Sequence, residues 1–182
     1  LVELVFDEND SSRFSQLVTT VTPQMKAALA KLPRWGLGDV LKKNTVVVLD
    51  HIQDPGNLGT ILRGALAFDA GLVLVECVDA GNPKVIRGSA GAVFHVPWVE
   101  MKRGEAEAWL KRETRLVYSL ELAEPAVDIA TIPNKPAIII AGSEGQGISL
   151  NVEAPSIKIS HNPKLESLNV AVAVSLLLYT RS

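Results

Sequence analysis

"TVVVLDHIQDPGNLGTILRGALAFDAGLVLVEC", Thr45 to Cys77, decides how the rest of the chain is read. It opens on a continuous run, "TVVVLD", rich in β-branched residues, which predicts a strand buried on both faces. It closes on a second such run, "LVLVEC". Between them the period changes. Leu58, Ile61, Leu62 and Ala65 fall on one face of a helix predicted from Leu58 to about Ala70. Asn57 is its expected N-cap and Gly71 its expected C-terminal stop. Strand, helix and strand within about thirty residues make a parallel βαβ unit.

The alternation continues downstream. "NPKVIRGSAGAVFHVPWVE" predicts a short helix and a strand, "HVPWVE". "GEAEAWLKRE" predicts an amphipathic helix with Trp109 and Leu110 on its apolar side. "RLVYSLEL", "PAIIIAG" and "SIKIS" predict three more strands, and "SLNVAVAVSLLLYT" a last helix. The expected fold is α/β, with a mainly parallel sheet and helices on both faces. Ligands of such sheets bind beyond the carboxyl ends of the strands. The loops after Asp50, Glu76, Leu122, Ala141 and Ser160 are therefore the places for chemistry.

Residues 1–43 read differently. "LVELVFDEND" predicts a short strand. "TPQMKAALAKL" predicts a short helix with Thr22 as N-cap and Pro23 at its first position. "PRWGLGDVLKKN" is turn-rich and mildly basic. This region is expected to be the tail of a preceding domain plus a linker, with the main domain spanning 44–182.

Composition narrows the partners. At 182 residues the chain is long enough to bury a core without disulfides or metals. A net charge of -2 does not advertise a basic nucleic-acid-binding domain, which leaves a local basic patch as the alternative. No apolar run reaches the length of a membrane span, so no membrane partner is expected. The one cysteine, Cys77, reads as a small hydrophobe at a strand end in a reducing compartment. A cytoplasmic protein is the expectation, with an organelle left open. His51, His95 and His161 are far apart and have no cysteine cluster to join them, so no metal site is expected.

Three loops carry signal. In "DPGNLGTILR" two glycines bracket a turn, as in a phosphate cradle. A dinucleotide fingerprint needs G-x-G-x-x-G, with Glu76 then placed to bind ribose. Here the middle glycine is missing and Pro55 removes a backbone N–H. Arg63 lies off the apolar face and leans back over the turn, where its fork can clamp a phosphate or a carboxylate. The second loop, "IIIAGSEGQGIS", has three glycines for tight folding. Glu144 at its centre repels phosphate and suits a ligand with hydroxyl or amino groups. In the third, "KISHNPKLESLNVAVAVSLLLY", Ser167 is a candidate N-cap. Asn169 then falls in the first turn of an apolar helix and needs a buried hydrogen-bond partner. That helix is hydrophobic nearly all round, which implies full burial or a subunit interface.

These loops, in this order, resemble the SpoU (TrmH-type) branch of the SPOUT RNA methyltransferases. "DHIQDPGNLGTILRGALAFDAG" matches the first family motif, and "NPKVIRGSAGAVFHVP" resembles the segment after it. "IIIAGSEGQGIS" matches the second motif and "ESLNVAVAVSLLLY" the third. The resemblance covers about residues 44 to 182. It implies a C-terminal trefoil knot, S-adenosylmethionine as methyl donor, and a homodimer whose site both subunits complete. The implied reaction is 2′-O-methylation of a ribose in rRNA or tRNA, without a metal. Carried over by motif, Asn57, Arg63, Glu144, Ser167 and Asn169 form the catalytic set. Gly142, Ile159 and Leu168 contact the donor, largely through backbone groups. Ser160 and His161 stand where the family usually has a proline and a methionine. Residues from Leu1 to about Leu32 resemble the end of the small RNA-binding domain many members carry. Two other readings stand beside this one. An inert RNA-binding or assembly protein with the same fold would bind no donor. An oxidoreductase using Glu76 would bind NAD.

Overall fold

The computed structural model describes residues 1–7, 14, 16, 26–143 and 145–182. They form two compact units, Leu1–Pro33 and Arg34–Ser182. In the first, β1 (Val2–Asp7) pairs antiparallel with β2 (Lys26–Ala30), Val5 opposite Ala28. The strand expected near the start is present. The helix expected in "TPQMKAALAKL" is not, since Lys26–Ala30 is a strand; Thr22 and Pro23 lie outside the described residues. A helix this short is marginal without packing, whereas pairing with β1 satisfies the same backbone groups directly.

The second unit runs α1 (Leu37–Val40), β3 (Thr45–Asp50), α2 (Pro55–Ala67), β4 (Gly71–Val75), α3 (Pro83–Gly88), β5 (Trp98–Met101) and α4 (Arg103–Leu110). It continues β6 (Leu116–Leu120), β7 (Ala126–Asp128), β8 (Ala137–Gly142), β9 (Ser156–Lys158) and α5 (Val170–Thr180). Its seven strands lie in the order β5-β4-β3-β8-β6-β9-β7, every pair parallel. The inner strands β3, β4 and β8 carry uninterrupted apolar runs, as burial on both faces requires. Val46, Val48, Val73, Val75, Ile138 and Ile140 pack on one face against Val40 of α1 and Ala106 and Leu110 of α4. Ala137, Ile139 and Ile157 pack on the other against Leu177 of α5 and Ile129. Helices thus cover both faces. Among the described residues no helix is long and apolar enough to cross a membrane.

Several boundaries differ from the sequence reading, each for a local reason. The N-cap of α2 is Asp54, not Asn57; its carboxylate accepts from the Asn57 N–H at 2.8 Å, and Pro55 takes the first helical position. Asn57 is thereby freed from capping. The helix ends at Ala67, and Gly71 begins β4 instead of stopping the helix. Gly71 is needed for a different reason, because a Cβ there would lie 2.8 Å from the Val40 carbonyl oxygen. The N-cap of α5 is Asn169, not Ser167. Strand β7, three residues long, is too short for a periodicity to announce it.

Candidate functional site

Because β3 and β8 are adjacent and parallel, with Asp50 opposite Gly142, their carboxyl ends deliver the first and second loops to one edge of the sheet. The second loop then doubles back. The Gly147 N–H donates to the Ser143 carbonyl at 2.8 Å, and Gly147 adopts a left-handed φ of 66°. The two backbone segments press together so closely that a Cβ on Gly142 would lie 2.1 Å from the Gly147 carbonyl carbon. Both glycines are therefore dictated by the turn, one by approach and one by conformation. Glu144, inside it, lies outside the described residues.

This turn forms one wall of a cleft of about 250 Å³. Gly142, Ser143 and Ile148 line that wall. Ile157, Ile159 and His161 line a second, Ser167, Leu168 and Ala173 a third, and Leu120, Glu121 and Leu122 the rim after β6. The three predicted donor contacts, Gly142, Ile159 and Leu168, are brought together here, and Ser167 with them. The surroundings are mainly apolar side chains and backbone, with Glu121, Lys158 and His161 among them, which suits a flat heteroaromatic ligand held by a few polar groups. Nearby, Ser160 donates through Oγ to Asp128 Oδ2 at 2.7 Å.

The first and third loops meet through two asparagines. Asn169 Oδ1 accepts from the N–H groups of Ala171 (3.0 Å) and Val172 (3.2 Å), capping α5. Its Nδ2 donates to Asn57 Oδ1 at 2.9 Å. Asn169 is exposed rather than buried, so the burial expected of it is not met, and Asn57 is its partner at the surface. Leu168 and Val170, on either side of Asn169, line the cleft, so the asparagine pair stands at its edge. Farther along α2, Arg63 is exposed and hydrogen-bonds to no described residue. It does not line the cleft. Gly59 is the point where α2 crosses α3, a Cβ there falling 2.7 Å from the Gly88 carbonyl carbon.

One cluster was not read from the sequence. Asp50, wholly buried, accepts through Oδ2 from Ser149 N (2.6 Å), Ser149 Oγ (3.0 Å) and Leu150 N (3.0 Å). Its Oδ1 accepts from Arg103 Nη2 at 3.0 Å. Arg103 also binds Glu76 Oε2 through Nη2 (2.7 Å) and Nε (3.1 Å), and Ser149 Oγ through Nη1 (2.8 Å). The hydrogen bonds that the guanidinium donates to Glu76, with the nearby Asp50 charge, hold it above its ordinary range. An acid at a strand end was visible in sequence, but nothing local pairs it with an arginine in a later helix. The pairing also occupies Glu76, the carboxylate a dinucleotide would need. Cys77 is inert by comparison: burial pushes its thiol up to about 11, and it donates to the Leu49 carbonyl at 3.3 Å. Among the described residues no group of His, Cys, Asp and Glu is placed to hold a metal ion.

The profile of the SpoU rRNA Methylase family matches residues 44–179. The chain is 34% identical over 171 residues to the 23S rRNA (guanosine(2553)-2'-O)-methyltransferase RlmP of Bacillus subtilis, covering 91% of this chain and 68% of that protein. It is also 34% identical to an uncharacterised tRNA/rRNA methyltransferase of Synechocystis sp., covering 91% of this chain and 62% of that protein. The chain thus spans about two thirds of the length of these relatives. The crystal structure of an AdoMet-bound rRNA methyltransferase from Sinorhizobium meliloti matches with a TM-score of 0.82 at 30% identity. That match covers 96% of this chain and 69% of the other.

Replacing Asp50 tests the buried cluster. Asp50→Asn turns an amide N–H toward a donor and leaves Arg103 short of a charge, so unfolding free energy falls by about 3 kcal/mol. Urea denaturation reads this directly; an unchanged midpoint refutes the role given to Asp50.

Proposed function

Because the chain belongs to the SpoU rRNA Methylase family, we propose that it transfers a methyl group from S-adenosylmethionine to a ribose 2′-hydroxyl of rRNA or tRNA. The observation that carries this reading is the gathering of Gly142, Ile159 and Leu168 on one cleft, with the Asn57–Asn169 pair at its edge. The cleft fits the donor: its lining is largely apolar, with backbone at Gly142 and Gly147 and a few polar groups to orient a ligand. Gly142, Ile159 and Leu168 hold the adenosine portion through their backbone groups. The donor supplies an electrophilic methyl on a sulfonium.

The chain's residues then act on the RNA. A 2′-hydroxyl is a weak nucleophile and must lose its proton as it attacks. A guanidinium stays protonated at neutral pH, so Arg63 is not the base. Its place on the exposed side of α2 suits it to bind the neighbouring phosphate and stabilise the developing alkoxide. Asn57, fixed by Asn169, orients the ribose. Glu144 and Ser167 keep the second and third loops in register with the substrate.

The working form is a homodimer with a trefoil knot at its C-terminal end. Support for the dimer lies in α2 and α5, which expose Leu66 (47%), Val172 (48%), Leu176 (41%) and Tyr179 (69%). Phe68, at the end of α2, meets Tyr179 of α5 edge-on at 6.0 Å, which joins apolar side chains of the two helices at this surface. Support for the knot lies in β9, which inserts between the earlier strands β6 and β7. The chain's end is also locked beneath the sheet: buried Arg181 donates to Thr45 Oγ1 (3.1 Å) and to the carbonyls of Pro133 (3.2 Å) and Lys135 (2.6 Å). The first unit is assigned to RNA capture and the second to methyl transfer.

Arg63→Ala retains donor affinity while methyl transfer to ribosomal or transfer RNA falls about a hundredfold or more. Calorimetry and incorporation of labelled methyl check the two halves, and near-normal turnover contradicts the assignment. The dimer is tested by Val172→Glu with Leu176→Glu: sedimentation shows a monomer, whereas a persisting dimer places the interface elsewhere.

A further inference from the structure

The segment between β9 and α5 carries a side chain that methyl transfer, as described, does not use. His161 lines the donor cleft. Both of its ring nitrogens face backbone carbonyls. Nδ1 lies 2.7 Å from the oxygen of Ile159, and Nε2 lies 3.2 Å from the oxygen of Leu165. A neutral imidazole has one N–H and one bare nitrogen. It satisfies one of these carbonyls and turns a lone pair on the other. An imidazolium donates to both. Only the protonated ring can therefore satisfy both carbonyls at once.

The surroundings permit the charge. Among the described residues, the charged side chains on the elements about this loop are Glu121 and Lys158 in the cleft wall, Glu124 and Asp128 near β7, and Lys164 and Glu166 on the loop itself. Lys158 is engaged by Glu124 at 2.5 Å, and Asp128 accepts from Ser160 Oγ at 2.7 Å. Neither ring nitrogen of His161 is hydrogen-bonded to a described carboxylate. Glu121 supplies negative charge in the wall that the ring shares. The two carbonyls bridged by the ring belong to Ile159, itself a wall of the cleft, and to Leu165, three residues before Leu168.

We propose that His161 is a positioning residue for the methyl donor: when protonated it staples Ile159 to Leu165 and holds the loop before α5 in its binding form. The inference rests on the methyltransferase reading. Ordering the loop in advance removes that cost from the binding step. The sign follows from linkage. A ligand that prefers the protonated protein takes up protons on binding, and its affinity falls as pH rises through the histidine range. A methionine, the usual family residue here, makes neither bond and carries no charge, so the coupling belongs to this chain.

The test is calorimetry of the full chain with S-adenosylmethionine at about pH 6 and about pH 8.5, either side of the histidine range. Wild-type protein is compared with His161→Met, which removes both bonds, and His161→Gln, which keeps one donor and cannot titrate. The wild type binds about fivefold more weakly at the higher pH, the effect of one net hydrogen bond. Both variants lose that difference. A slope shared by all three proteins belongs to the donor's own amino group and overturns the staple, as does equal wild-type affinity at the two pH values. Wild-type protein that binds no donor at either pH overturns the methyltransferase reading instead. The staple is then decided by nitrogen-15 spectra of the ring at the lower pH. Two protonated nitrogens on His161 support it, and one bare nitrogen overturns it.

Discussion

The Asp50 carboxylate, wholly buried at the end of β3, accepts hydrogen bonds from Ser149, Leu150 and Arg103. A charge removed from water costs several kcal/mol unless its oxygens are fully engaged. The chain meets that requirement by drawing four donors onto two oxygens. The donors come from distant parts of the sequence, so the price is met by bringing α4 and the segment after the glycine turn to one point. Arg103 extends the junction to Glu76 at the end of β4. The junction consequently ties the carboxyl ends of β3 and β4 to α4 and to the segment after β8. Ile148, next to Ser149, is held in the cleft wall by the same anchorage.

From that edge the site divides into two sides. The Gly142–Gly147 contact folds the second loop into one wall of the cleft, with Ser143 and Ile148 beside it. The first turn of α2 offers polar side chains outward, with Asn57 tied to the cap of α5. The same asparagine that caps α5 therefore sets the distance between the two sides. An enzyme that joins a small donor to a large RNA needs such a fixed separation, since a shift of about 1 Å can cost a hundredfold in rate. Arg63 remains outside this frame on the exposed face of α2, in keeping with a partner as large and charged as RNA.

Much of the second unit was legible in the sequence because its strands are continuous apolar runs. Val46 to Leu49 and Ile138 to Ile140 have no polar alternation to confuse the period. Caps were less legible. Asp54 and Asn57 both cap well, as do Ser167 and Asn169, and the choice was made by tertiary partners. Asn169 caps because its amide also meets Asn57, a contact no local pattern carries. Lys26–Ala30 shows the opposite failure: its alanines favour a helix, yet β1 captures it as a strand. Gly71 was read as a helix stop when its real constraint is the Val40 backbone, again a distant neighbour. Gly142, Ile159 and Leu168, which the motif resemblance implies as donor contacts, line one cleft. The Asp50–Arg103 junction had no signal in either.

One measurement bears most directly on the division of labour between the loops. Backbone amide spectra of the full chain are followed as S-adenosylmethionine is added. The largest shifts are expected at Gly142, Ile159 and Leu168, with Gly56 and Gly59 of the first loop little moved. Shifts centred on Gly56 and Gly59, with Gly142 and Leu168 unchanged, would place the donor in the first loop and contradict the assignment of cofactor and substrate sides.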